Sequence, residues 1–230
     1  MNFYSDFPKI LVAVDAIIFG FNENELELKL LLLKRQFAPE KGNWSLMGGF
    51  VDPEESLDSA AQRIVKKLTG LNQVYMEQLY AFGDLSRDAG GRIISVAYFS
   101  LIKINEHDSE LVKNHGASWI SVSKLPDLIF DHEEMVKRAM RKLRIQARTQ
   151  PIGFELLPEK FTIPQLQRLY ESIYQIPFDK RNFRRKLLAM GLLWKLDEKE
   201  KETSKKGAFY YRFNKAKYEE LLEKGFNFDL

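Results

Sequence analysis

Apolar positions along the chain follow two successive patterns. Lys9–Phe19 and Leu26–Lys34 carry alternating or continuous apolar runs, as in strands, and the polar turn Asn22–Glu25 separates them. Gly42 to Pro53 reads as a loop. Ser56 to Thr69 has helical spacing and ends at Gly70, a C-cap residue. Strands are predicted at Glu77–Phe82 and Arg92–Ile104 around the turn-rich Gly83–Gly91, with a further short strand at Trp119–Val122. Asp131–Arg148 reads as a long basic helix with Met135, Ala139, Leu143 and Ile145 toward one side.

The pattern changes after Thr149–Pro158, a stretch with two prolines and a glycine. Helices are predicted at Pro164–Tyr174 and Lys180–Met190, joined by a turn at Ile176–Asp179. A hairpin follows, Leu192–Asp197 and Ala208–Phe213 around a charged tip, and a short helix at Lys215–Lys224 closes the chain. Helix–turn–helix then a two-stranded wing is the order of a winged-helix DNA-binding module. The expected organisation is α+β, with a first domain over 1–150 and a winged helix over 151–230.

Composition narrows the class. The chain has 230 residues, 45% of them hydrophobic, enough to bury a core in each of two domains. No apolar run approaches the roughly 20 residues that span a bilayer; the longest, Ile10–Phe21, is interrupted by Asp15. Met1–Pro8 lacks the basic-then-apolar pattern of a signal peptide, so a cytoplasmic protein without a membrane partner is expected. Cysteine is absent, which removes disulfides, thiolate metal sites and cysteine nucleophiles. A net charge of +3 says little; where the cations sit says more.

Gly49, Glu55, Arg63 and Gly70 stand at fixed spacing behind Trp44-Ser45-Leu46-Met47-Gly48. This stretch, Gly49–Leu71, resembles the Nudix box and implies the Nudix α/β/α sandwich. An active Nudix helix carries glutamates where this chain has Ile64, Lys67 and Leu68. Those positions share one helical face, where carboxylates would converge on Mg²⁺, a hard cation that needs oxygen ligands. Isoleucine and leucine supply none, and Lys67 puts a positive charge where the metal would lie. Ile64 and Leu68 instead extend the apolar stripe of Leu57, Ala60 and Ala61. The expectation is a protein that is not an enzyme, with no catalytic residue, metal ligand or cofactor. A hydrolase with unusual metal ligands, using Glu54 or Glu55 with Glu133 or Glu134, is the alternative.

A second cluster lies in Asp179–Met190. Lys180, Arg181, Arg184, Arg185 and Lys186 give five cations against one Asp179, while Phe183, Leu187, Leu188 and Met190 supply an apolar side. Asp179 suits the N-cap, which sets Lys180, Arg181, Asn182 and Arg184 on the leading turns. Arginine can read guanine and asparagine adenine, with the remaining cations on phosphates. Lys205, Lys206 and Arg212, at or beside the hairpin tip, are the candidate wing contacts. A merely solvated basic face, or an acidic protein partner, is the competing role.

Together the two halves resemble the Nudix-related transcriptional regulators over nearly the whole chain. The resemblance is carried by Tyr75–Leu79, Phe82-Gly83-Asp84, Arg87-Asp88, Arg92–Tyr98, Phe130-Asp131-His132, Leu156-Leu157-Pro158 and Asn182–Leu187. It implies a homodimeric repressor on a palindromic double-stranded operator, with a small metabolite bound in the Nudix domain. One branch of the family senses ADP-ribose-type ligands and controls NAD metabolism; another senses L-arabinose and controls sugar utilisation. The sequence is more similar overall to the arabinose branch, so a pentose effector and control of carbohydrate genes are expected. Two positions depart from the pattern: Met47 replaces the proline before the paired glycines, and Ala89-Gly90-Gly91 lacks a basic residue after Arg87-Asp88.

A neutral pentose needs directed polar groups and an aromatic face, whereas ADP-ribose needs cations for its diphosphate. Polar candidates for the cleft are Asp15, Lys34, Glu55, Asp84, Arg87, Asp88 and Arg92, with Phe37 and Trp44 as aromatic walls. Core packing competes for Phe37 and Trp44, turn formation for Asp84, Arg87 and Asp88, and mutual pairing for Glu55 and Arg63. Asp131 before His132 reads as a helix cap.

Overall fold

The computed structural model describes residues 6–201 and 207–225. The chain divides into two compact units. One holds the chain up to Phe19, Leu30–Leu101 and Asn105–Ala139; the other holds Gly20–Lys29, Ile102–Ile104 and the chain from Met140 onward. Among the described residues no helix is long and apolar enough to cross a membrane.

The first part of the chain builds a seven-stranded sheet. Its elements are β1 (Leu11–Asn22), β2 (Glu27–Lys34), β3 (Trp44–Ser45), β4 (Met47–Phe50), α1 (Leu57–Thr69), β5 (Glu77–Phe82), β6 (Ile93–Ile104), α2 (Glu106–Asn114), β7 (Ala117–Ser121) and α3 (His132–Thr149). The strand order is β3-β2-β1-β6-β5, with β4 paired to β1 and β7 to β2. Ala13 to Phe21 on β1 are buried without alternation, so both faces of this central strand are covered. Fully enclosed side chains such as Ile17, Ile18 and Phe19 each contribute about 1.5–3 kcal/mol by leaving water.

Both ends of α1 are capped locally, and of the two caps Gly70 was expected from sequence. Ser56 accepts the Ser59 amide at its N-terminus, and Gly70 closes the helix at φ +77°. A Cβ on Gly70 would come within 2.6 Å of His115 and 2.7 Å of Leu111, so a side chain there would be strained by the positive φ and would displace both neighbours. Ala60, Ala61, Ile64 and Val65 are the buried stripe, and α1 packs on β4 and α2.

Three expectations are corrected here. The segment read as a loop from Gly42 holds β3 and β4, which have no alternation of their own and form by pairing with longer neighbours, Leu33 with Ser45 and Asp15 with Gly48. The short polar helix α2 carries no apolar stripe in sequence and was not expected. Ile145 is 59% exposed: two residues beyond Leu143 is about 200° around a helix, and the buried stripe continues at Ala147 instead.

The later part consists of α4 (Gly153–Leu156), β8 (Phe161–Thr162), α5 (Ile163–Tyr174), α6 (Lys180–Ala189), β9 (Leu193–Glu200), β10 (Ala208–Phe213) and α7 (Lys215–Glu223). β8, β10 and β9 form an antiparallel sheet in that order. A capping box of Thr162 and Gln165 starts α5. Leu166, Leu169, Tyr170, Ile173, Phe183, Leu187 and Tyr211 make its core. The elements α4 and β8 are too short to have shown a period. Leu188, expected on the apolar side of α6, is 39% exposed; Phe183 and Leu187, four apart, anchor the helix alone.

Candidate functional site

A hollow of about 70 Å³ in the first unit is lined by Ala13, Asp15, Arg35, Phe37, Ser45, Gly48, Gly49, Phe50, Arg87, Asp88, Ile93, Phe130 and His132. Its floor is a buried ionic cluster. Asp15, on β1, accepts the Ser95 hydroxyl at 2.5 Å, and its carboxylate lies 3.7 Å from Arg87 and 3.5 Å from His132. Arg87 donates twice to Asp131, from Nε at 2.9 Å and from NH2 at 2.8 Å. Burial opposes the Arg87 charge, but the Asp131 bonds and the charges of Asp131, Asp15 and Asp88 outweigh it, and its pKa rises.

His132 is buried and accepts the Leu46 amide on Nδ1 at 3.1 Å. A neutral ring therefore carries its proton on Nε2, the nitrogen that faces Asp15. Desolvation pushes the His132 pKa down, against the pull of Asp15 and Asp131. Gly48 is required beside this cluster, since a Cβ there would stand 2.1 Å from Asp15 Oδ1.

The rim supplies cation and ring together. Arg35 donates from Nε to the Pro39 carbonyl at 2.7 Å, with its guanidinium carbon 4.2 Å from the Phe37 ring centroid and 5.3 Å from that of Phe130.

Of the residues picked from sequence, the hollow gathers Asp15, Phe37, Arg87 and Asp88. The others are engaged elsewhere. Lys34 lies over the Trp44 ring, 5.3 Å away, as its direct cross-strand partner. Asp84 acts through its backbone carbonyl, and Arg92 donates to the carbonyls of Gly83 (2.6 Å) and Asp84 (3.4 Å), bracing the turn. Asp88 does both jobs, lining the hollow while accepting the Gly90 amide. The Asp131 carboxylate, expected to cap α3, is taken by Arg87. Arg35, Phe130 and His132 were missed. Arg35 follows β2 directly, in a segment whose sequence gives no signal for the hollow.

The residues present do not fit the Mg²⁺ that the Nudix box implies. Glu55 is held by two of the three Arg63 side-chain nitrogens and by the Asp52 amide, which together, Arg63 foremost, pull its pKa to about 2. Ile64 is buried with its Cδ1 against Gly49. Lys67 is exposed. Among the described residues no group of three or more His, Asp or Glu is placed to hold a metal.

In the second unit, Glu171 accepts the Phe178 amide at 2.9 Å, while Gln167 donates to Glu171 at 2.8 Å and to the Phe178 carbonyl at 3.2 Å. These bonds fix the turn before α6. Asp179 caps α6 by accepting the Asn182 amide at 2.7 Å. Lys180, Arg181, Asn182, Arg184, Arg185 and Lys186 are all exposed. Arg185 donates to the Asn182 side chain at 2.6 Å, and Arg184 reaches the Tyr211 hydroxyl at 3.4 Å.

Two further cations were missed on the wing. Lys195 pairs with Tyr211 and Lys199 with Phe209, and both ammonium groups lie on the Phe209 ring, at 3.7 and 4.5 Å. Directly opposed residues share a sheet face, so these lysines lie on the face whose Tyr211 meets Arg184. Arg212 is corrected: it pairs with Trp194 near the base of the hairpin and lies 3.5 Å from Glu159, within a groove of about 580 Å³. Lys205 and Lys206 lie outside the described residues.

Residues 9–141 match the NUDIX domain family, and residues 153–213 match the NrtR DNA-binding winged helix domain. The chain is 32% identical over 219 residues to an ADPR responsive transcriptional repressor NtrR from Acinetobacter baylyi, covering 94% of this chain and 86% of that one. The crystal structure of Shewanella oneidensis NrtR complexed with a 27mer DNA aligns with a TM-score of 0.68 at 30% identity, covering 88% of this chain and 93% of that one. The NUDIX domain of Shewanella oneidensis NrtR complexed with ADP ribose aligns with a TM-score of 0.51 at 32% identity, covering 60% of this chain and 90% of that one.

Proposed function

The chain belongs to the NrtR-type Nudix-related transcriptional regulators, and on that premise we propose that it is an effector-responsive repressor whose signal is ADP-ribose. The α6 helix and the wing bind operator DNA, and the hollow of the first unit takes the charged part of the effector. The carrying observation is α6 itself. Six polar residues face outward from a helix that Phe183 and Leu187 alone anchor, behind a turn pinned by Glu171 and beside a wing with two more lysines. That is the geometry of a recognition helix flanked by phosphate contacts.

The pentose expectation is set aside. The relatives with a stated effector bind or respond to ADP-ribose, and the hollow is lined by two arginines, Arg35 and the Asp131-bound Arg87, with the rings of Phe37 and Phe130 and the carboxylates of Asp15 and Asp88. Guanidiniums match a diphosphate, and rings match a base or ribose; a neutral sugar needs no cation. At about 70 Å³ the hollow is small against the roughly 300–1,000 Å³ of a whole small-molecule pocket, so it holds one group of the ligand rather than all of it. Genes of NAD turnover are then the regulated set, as the ADP-ribose branch of the family implies. We place the boundary between the domains near residue 150, read the active form as a homodimer on a palindromic site, and read the first domain as non-hydrolytic because Ile64, Lys67 and Leu68 occupy the ligand positions.

Fluorescence polarisation tests this with DNA fragments flanking the gene, titrated with protein alone, with ADP-ribose and with L-arabinose. Tight binding to one fragment that changes with ADP-ribose and not with arabinose is the expected result. No fragment bound above random DNA would overturn the repressor; a response to arabinose alone would overturn the effector. Release of AMP from ADP-ribose in Mg²⁺ would overturn the non-hydrolytic reading.

A further inference from the structure

Phe130, Asp131 and His132 are consecutive in sequence and do three different things. Phe130 lines the hollow beside Arg35, with its backbone at φ +52°, a conformation uncommon for a residue with a side chain. Asp131 accepts both Arg87 hydrogen bonds. His132 holds the Leu46 amide and faces Asp15. The same residues open α3, which runs unbroken from His132 to Thr149 and so has residues in both compact units. Within the second unit, Arg144 on α3 donates to the Ile173 carbonyl at 3.2 Å, and the Tyr174 hydroxyl donates to the Arg144 carbonyl at 3.2 Å. Those partners lie in the last turn of α5, directly before the turn that presents α6.

We propose that Asp131 is the positioning residue through which effector binding is read: an arriving diphosphate takes Arg87 from it, and its release changes the start of α3. This rests on the effector reading above. Several carboxylates compete for Arg87, and their surroundings decide which yields. Asp15 is held by Ser95, and its side chain is only 8% exposed. Asp88 is engaged with the Gly90 amide. The Asp131 side chain is 22% exposed, so water can solvate it once the guanidinium turns to phosphate. A diphosphate accepts the same paired, charge-assisted bonds from arginine, and each negative charge it adds beside Asp131 favours separation. The ligand then has different affinity for the paired and released states, which any transmitted response requires.

The test is Asp131→Asn in the full chain, with operator affinity and ADP-ribose affinity measured separately. The expected result is operator affinity without effector within about threefold of effector-saturated wild type. ADP-ribose should then alter it by less than about twofold while still binding in the absence of DNA. Asp131→Glu, which keeps the charge, should restore part of the response. A wild-type-like response in Asp131→Asn overturns the proposal while leaving the repressor reading intact. Wild type that binds operator but ignores ADP-ribose overturns both the proposal and the ADP-ribose reading on which it rests. Should Asp131→Asn fail to fold in a thermal melt, Asp131→Glu decides: its altered reach should reduce the response at least about threefold, and a full response overturns the role.

Discussion

Arg63 donates from Nε to Oε2 of Glu55 at 2.9 Å, and a second bond from NH2 closes the pair. The glutamate retained from the box thus braces its own loop. Its pKa falls from 4.5 to about 2, chiefly through the Arg63 bond and then the Asp52 amide. A carboxyl with a depressed folded pKa stabilises above its unfolded pKa, and the benefit is lost as pH falls from 4.5 toward 2. Glu55→Gln should therefore lower the melting temperature at neutral pH, with the gap to wild type closing over that acidic window. A gap that stays constant with pH would show that the charge contributes nothing.

Gly49 and Ile64 are coupled by contact. A Cβ on Gly49 would stand 2.9 Å from Ile64 Cδ1 and 3.1 Å from its Cγ1. Gly49→Ala should cost about 1–3 kcal/mol by overpacking, and Ile64→Val about 0.5–1.5 kcal/mol by losing a methyl. The double variant should be more stable than the sum of the two predicts, by about 0.5 kcal/mol or more, because valine lacks Cδ1. Urea unfolding of the four proteins measures this, and strict additivity would refute the contact.

The strands, helices and caps that sequence revealed are those whose signal is local. The continuous burial of β1 and the Gly70 cap of α1 depend on residues within the element or one turn away. β3 and β4 are strands only because β1 and β2 lie beside them, and no local pattern announces that. The hollow follows the same rule. Asp15 and Arg87 could be picked as charges out of place, but Arg35, Phe130 and His132 gain meaning only when residues far apart in sequence converge. Arg212 was placed beside the hairpin tip because wing register cannot be counted from sequence when the turn length is unknown and the β9–β10 pairing shifts register between Phe209 and Tyr211.

His132 should tie stability to pH. Burial lowers its pKa below 6.5, and the attraction of Asp15 and Asp131 does not offset this. Below pH 6.5 the unfolded chain binds a proton that the folded state refuses, so stability is lost as pH falls until the folded ring also titrates. The slope is at most about 1.4 kcal/mol per pH unit. His132→Gln keeps a polar side chain without the titration, and its unfolding free energy should vary less between about pH 7 and pH 5. Parallel curves for the two proteins would place the acid sensitivity elsewhere.

Salt dependence separates the two faces of the wing. Lys195 and Lys199 lie on the face shared with Tyr211, whose hydroxyl meets Arg184, whereas Arg212 and Lys160 are occupied near Glu159 and Glu198. Each phosphate contact releases counterions, so losing one reduces the slope of log affinity against log salt by about 0.9. Arg184→Ala, Lys195→Ala and Lys199→Ala should each weaken operator and random DNA together and lower the slope by about that amount. Arg212→Ala and Lys160→Ala should leave it unchanged. A fall in slope with Arg212→Ala and none with Lys195→Ala would mean that the opposite face of the hairpin meets the DNA, and α6 would then have to enter the groove in a different orientation.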